Sequence, residues 1–192
     1  MMLRSFVAIE IPSQIQNAIA NRTSSLQKSL PKPLVSWVIP QNIHLTLKFL
    51  GAISQENLER FEKLLQLETV SHKSFTMVVE GLGVFPSARR PRVIWIGIKA
   101  PPALIDLQGR IEMATAKLGY PPEERTFSPH LTIGRIGQNN TAVDMKNISL
   151  ILKKTSARNF GIVTVNELSI FKSDLIPSGP IYTRLYALPL GN

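Results

Sequence analysis

The sequence predicts an α+β fold. It would be a bilobal, duplicated unit with two mainly antiparallel sheets facing across a central cleft, helices on the outer faces and pseudo-twofold symmetry. Three observations lead there. Short runs of β-forming residues alternate with segments of helical spacing. The triplet His44-Leu45-Thr46 returns as His130-Leu131-Thr132. A later segment ending at Phe85 returns, at the same offset, as one ending at Phe171.

Arg4 to Ile11 alternates and is rich in β-formers, so it reads as a strand closed by Pro12. Ile15, Ala18, Ile19, Arg22 and Leu26 recur at helical spacing up to Pro31 and Pro33. Ile43 to Leu50 reads as a strand, and a helix starts after the N-cap Ser54, with Glu56 and Glu59 near its positive end. Leu58, Phe61, Leu64 and Leu65 form its buried stripe. Phe75–Phe85 and Arg92–Ile98 predict two strands joined by a basic, proline-flanked loop. Leu104, Leu107, Ile111, Ala114 and Leu118 mark the next helix, and His130–Ile136 a strand. Thr141 and Asp144 resemble a capping box before a helix carrying Met145, Ile148 and Leu152. Ile162–Phe171 and Ile181–Leu188 read as the closing strands.

Each half therefore runs helix, short strand, helix, strand, strand. The offset, from 44 to 130, is 86 residues, and it also carries Leu82 onto Leu168 and Val84 onto Ile170. Two strands in register at one offset indicate a duplicated unit. We expect one bilobal domain over 1–192, with repeat units near 12–99 and 101–189 and the 1–11 strand joining the sheet system. Two copies suit facing lobes and not a solenoid.

Composition narrows the chemistry. The 192 residues hold 22 Lys and Arg against 13 Asp and Glu, a net charge of +9, spread along the chain and not packed into a tail. A polyanionic partner fits that balance. With no cysteine, disulfides, thiolate nucleophiles and cysteine-based metal sites are excluded. No stretch is apolar enough for a membrane span, and the N-terminal apolar run meets Glu10 too soon for a signal peptide. A cytoplasmic protein is expected.

Of the three histidines, two open the repeated triplet. A lone histidine in a β-rich segment is usually a satisfied core group; two in matching frames favour one shared site. In a strand, residues i and i+2 share a face. His44 and Thr46 thus point together, as do His130 and Thr132, while Leu45, Leu47, Leu131 and Ile133 point into the core. If the lobes face each other, these side chains line one cleft. With ordinary pKa values near 6.5, one imidazole can accept a proton while the other donates one. Threonine hydroxyls between them can hold anionic oxygens. In-line displacement at a phosphodiester needs these elements. The competing reading, a metal site, lacks further donors in either triplet. His72, in the polar stretch Thr69–Ser74, reads as a surface residue.

The chain resembles the two-histidine phosphoesterases, and within them the RNA 2′,3′-cyclic phosphodiesterases also called 2′-5′ RNA ligases. The residues that carry the likeness are His44-Leu45-Thr46-Leu47 and His130-Leu131-Thr132-Ile133, with the flanks Ser5–Ile9, Lys48–Gly51 and Arg125–Pro129. The resemblance implies hydrolysis of an RNA-terminal 2′,3′-cyclic phosphate to a 2′-phosphate, without metal or nucleotide cofactor. His44 would be the proton donor to the leaving 3′ oxygen, His130 the acceptor that activates water, and Thr46 and Thr132 the phosphate holders. Joining a 2′,3′-cyclic phosphate end to a 5′-hydroxyl by the same chemistry would give a 2′-5′ linkage.

Phe49 and Arg135 each lie five residues after their histidine, and an aromatic face and a guanidinium plane both stack on bases. An odd offset in a flat strand would turn them away from the histidines; Gly134 or a bulge would re-aim them. Arg89, Arg90 and Arg92 are either a phosphate-tracking surface or a solvated turn. Two other functions remain open: a non-catalytic RNA or nucleotide phosphate-binding protein, and a phosphodiesterase for small cyclic nucleotides or 2′-5′ oligonucleotides. The expected partner is an RNA 3′ end or nucleotide bearing a 2′,3′-cyclic phosphate, bound by a monomer.

Overall fold

The computed structural model describes residues 2–155, 159–177 and 179–191. In chain order its elements are β1 (Met2–Glu10), α1 (Ser13–Ser29), β2 (Val35–Trp37), a 3-10 turn (Pro40–Asn42), β3 (His44–Ser54), α2 (Gln55–Val70), β4 (Phe75–Phe85), β5 (Val93–Lys99), α3 (Pro102–Ala116), β6 (His130–Ile136), α4 (Ala142–Lys154), β7 (Asn159–Val165), β8 (Glu167–Ile176) and β9 (Gly179–Pro189). The local signals act as the sequence suggests. Ser54 accepts from the Asn57 amide and starts α2. Thr141 and Asp144 satisfy each other's backbone in a full capping box at α4.

Two corrections concern the sheet. Where two sheets were expected, the strands form one curled sheet in the order β7-β4-β5-β6-β3-β1-β8-β9, with β2 added against β6. The two groups of strands meet through one antiparallel pair among the described residues, Leu45 with Leu131. Pairing there removes two exposed sheet edges from the centre of the molecule. The single strand expected at 162–171 is two strands, β7 and β8, broken at Asn166. Their partners explain the break: β7 pairs with β4, whereas β8 pairs with β1 and β9 in the other half. The short β2 carried no periodic signal, being three residues among prolines 31, 33 and 40.

The strand order is symmetric about the β6–β3 junction. β5 corresponds to β1 and β4 to β8. Helices cover each half from the side away from that junction's polar face. α1 and α4 lie together over the β7 side, and α2 and α3 pack on each other against β3 and β9. The halves of the sequence are thus interleaved: β4, from the first, sits beside β5 and β7, and β8, from the second, beside β1.

The core is one cluster. Leu58, Phe61 and Leu65 of α2, Leu104, Leu107 and Ile111 of α3, and Val7, Ile9, Leu45 and Ile53 of the sheet are all sealed from solvent. His72 belongs near this packing and not on the surface, as its sequence context suggested. It is 8% exposed, its Nδ1 lies 3.3 Å from the Glu68 carbonyl and its Nε2 2.9 Å from Asp106. It ties α2 to α3. Among the described residues no helix is long and apolar enough to cross a membrane.

Leu131→Ala removes a fully buried side chain at the junction of the two halves. We expect a loss of about 2–5 kcal/mol in urea unfolding.

Candidate functional site

Both repeated histidines open a strand, His44 in β3 and His130 in β6. Each ring turns its Nδ1 to the carbonyl two residues upstream, Asn42 at 2.8 Å and Ser128 at 2.6 Å. A carbonyl only accepts, so Nδ1 carries the hydrogen in both rings and Nε2 is left to exchange protons. Leu45, Leu47, Leu131 and Ile133 are buried, while His44, Thr46, His130 and Thr132 are half-buried. With Leu45 opposite Leu131, the antiparallel register sets His44 beside Thr132 and Thr46 beside His130. Such cross-strand neighbours have Cβ atoms about 5 Å apart. The four side chains share the face opposite the core.

Matching bulges place Phe49 and Arg135. In β3, Thr46 pairs with Ala8 but Lys48 with Val7, so Leu47 is extra. In β6, Thr132 pairs with Trp95 but Gly134 with Ile94, so Ile133 is extra. These are the same position of the repeat. One extra residue reverses the alternation: Leu47 and Lys48 are both buried and Phe49 emerges 59% exposed. Its ring lies 6.1 Å from Phe6, which stacks on His44 at 4.8 Å. Arg135 is exposed, and its charge reaches both His44 and Tyr182. The bulge allowed for in the sequence is present in both strands.

The histidines differ in their surroundings. His44 is stacked on Phe6, with Tyr182 edge-on at 5.2 Å and Phe171 at 6.5 Å. His130 has Phe85 edge-on at 4.9 Å and Trp95 at 6.4 Å. Phe85 and Phe171 occupy one frame of the repeat, and each backs the other copy's histidine. Gly83 makes this possible on one side, since a Cβ there would occupy the space of the Trp95 indole. Glu10 is the Cα partner of His44, whereas Gly97 is that of His130. The Glu10 carboxylate is held by Ser169 and Arg184, at 2.8 and 3.1 Å.

Burial holds the His44 imidazole below its usual value of 6.5. The hydrogen bond to Asn42 opposes that shift, Arg135 adds to it, and Glu10 opposes it. Burial likewise pushes the Tyr182 phenol above its usual 10, with Arg135 and Arg4 pulling it back. Sequence reasoning did not find Phe6, Tyr182 or Glu10. Phe6 lay within the Ser5–Ile9 flank and Phe171 within the Phe85–Phe171 recurrence, and nothing in the chain's order linked either ring to the histidines.

The loop with Arg89, Arg90 and Arg92 leaves the sheet beside Arg135, since Val93 pairs with Arg135. Arg92 reaches the Gly137 carbonyl at 3.4 Å, and the loop backbone at Ala88 accepts from Ser149. No three His, Cys, Asp or Glu side chains converge to hold a metal ion among the described residues.

Comparison with known proteins places this arrangement. Residues 9–95, and again 96–182, match the family described as LigT like Phosphoesterase. The chain belongs to that family. An RNA 2′,3′-cyclic phosphodiesterase from Methanothermobacter thermautotrophicus is 32% identical over 96% of this chain and 97% of its own. One from Aquifex aeolicus is 35% identical over 99% and 98%. The crystal structure of E. coli LigT complexed with 3′-AMP superposes with a TM-score of 0.80 and 26% identity, covering all of both chains. As a LigT-like phosphoesterase, the chain carries the family's twofold pattern through both matched segments.

The His44 shift has a definite sign for stability. Because its folded value lies below the unfolded 6.5, the unfolded chain binds more protons as pH falls through that window. Its contribution therefore declines from pH 6.5 downward and levels off below the folded value. A His44→Gln variant should lack that part of the pH dependence in denaturant titrations. The His44 ring signals should titrate with a midpoint below 6.5 in NMR.

Proposed function

We propose that this LigT-like phosphoesterase hydrolyses the 2′,3′-cyclic phosphate at an RNA 3′ end to a 2′-phosphate, using His44 and His130 and no metal. One observation carries the reading: two imidazoles of the same tautomer, each alternating with a threonine, set on one face by the Leu45–Leu131 register. The relatives named RNA 2′,3′-cyclic phosphodiesterase over nearly the whole chain support it. E. coli LigT, crystallised with 3′-AMP and with phosphate, supports a nucleotide or phosphate ligand.

In the proposed reaction, Thr46 and Thr132 donate to the non-bridging phosphate oxygens. The His130 Nε2 takes a proton from water as the water oxygen attacks phosphorus. The bond to the 3′ oxygen breaks, and the protonated His44 Nε2 gives that oxygen its proton. A 5′-hydroxyl in place of water, with both rings in the same starting states, forms a 2′-5′ linkage, and cleavage of that linkage starts from the exchanged states. The anionic phosphate stabilises the His44 imidazolium, which offsets the lowering by burial. Phe49 and Arg135 offer a ring and a guanidinium plane to the terminal base, so recognition is by stacking and tolerates any base.

Turnover of an RNA ending in 2′,3′-cyclic phosphate should persist in EDTA and yield a 2′-phosphate. His44→Ala and His130→Ala should each lower it by about 10²–10⁴-fold. Unchanged turnover in either variant sinks the two-histidine mechanism, and loss in EDTA restores the metal. A substrate with sulfur at the 3′ bridging position leaves without a proton; it should rescue His44→Ala and not His130→Ala, and the converse would exchange their roles. Phe49→Ala should raise KM by roughly 5- to 150-fold with little change in kcat, as expected for about 1–3 kcal/mol of stacking.

A further inference from the structure

Lys48, in the β3 bulge, is 3% exposed although it carries a charge. Its ammonium lies 2.6 Å from Glu112 of α3 and 2.8 Å from the Pro121 carbonyl. Glu112 also accepts from the Glu123 amide at 3.2 Å and from Gln108 at 2.9 Å. Gln108 in turn donates to the Leu47 carbonyl at 3.4 Å, the group that the bulge removes from the β1–β3 ladder. Three separate pieces of chain meet here: the bulge, one face of α3, and the arm between Ala116 and His130.

The mate of this bulge is built without any charge. There the Ile133 carbonyl accepts from the Val38 amide at 2.9 Å, and Gly134 lies beneath the Trp37 ring. Those contacts come from β2 and Val38, the residue after it, in the arm leading to His44, and β2 pairs with β6. The arm that delivers His44 is thus braced on the strand that carries His130. The arm that delivers His130 has no regular secondary structure from Pro121 to Pro129 and forms no such strand. It is braced, through Lys48 and Glu112, on the strand that carries His44.

We propose that Lys48, Gln108 and Glu112 are positioning residues that do for the His130 arm what β2 pairing does for the His44 arm. A buried ion pair is a poor source of stability, because apolar side chains of similar size serve as well. What it supplies is direction. The ammonium and carboxylate hold the Pro121 carbonyl and the Glu123 amide at fixed places, and a methionine–leucine contact cannot. The site tolerates little slack, since a shift of about 1 Å can cost roughly 10²-fold in rate.

The proposal rests on the phosphodiesterase reading for its kinetic consequence, and the test separates the two. Lys48→Met alone strands a carboxylate and is compared with Lys48→Met/Glu112→Leu, which removes both charges. In the full chain, the double variant should melt close to the unmodified protein. It should lose hydrogen-exchange protection at the Glu123 amide and shift the low-field Nδ1–H resonance of His130. With RNA ending in 2′,3′-cyclic phosphate, kcat should fall about 10- to 100-fold with KM within about threefold. Full kcat despite an unprotected Glu123 amide overturns the proposal, as does a loss of rate matched by a loss of folded protein. If the unmodified chain does not turn over the substrate, the phosphodiesterase reading fails. The clamp then stands or falls on whether the His130 Nδ1–H resonance moves.

Discussion

The site depends on one backbone contact, the antiparallel pairing of Leu45 with Leu131. It is the described pair through which the two groups of strands meet, and both side chains are fully buried. Because strand side chains alternate, burying these two leucines forces the flanking residues outward on the opposite face. A slip of one residue would exchange the histidines for leucines. Register, and not any contact among themselves, brings the four polar side chains together.

Around that pair the molecule is built crosswise. Phe85 backs His130 and Phe171 backs His44. The arm before His44 adds a strand to β6, and the arm before His130 is tied to the bulge of β3. Each copy's histidine is thus supported by residues of the other copy. The two copies are nonetheless unequal. Glu10 stands where the other half has Gly97, and Lys48 where it has Gly134. Acid–base chemistry at a phosphodiester needs two groups in opposite protonation states, and unequal surroundings can provide that difference.

Much of the fold was legible. The helices, their caps and the His130–Ile136 strand are local matters of spacing and hydrogen-bonding side chains, and they stand where the sequence placed them. The strand from Ile162 to Phe171 was read as continuous because its pattern is continuous; Asn166 divides it because the pairing partner changes there. His72 was read as exposed from polar neighbours, yet it is buried by α3, which lies far along the chain. Lys48 gave no sign of burial, since a lysine after Leu47 reads as the next outward residue until a bulge turns it in.

By itself, the sequence determined the two His-Leu-Thr triplets, their buried backing and their repeat. These follow from residue type and a period of two, which a chain carries locally. The tertiary structure alone decided which strand lies beside which, where the bulges fall and which aromatic ring meets which histidine. An alternating pattern specifies a face and a length but not a partner strand. Partners are selected by burial over contacts distant in sequence, and those exist only once the chain has folded.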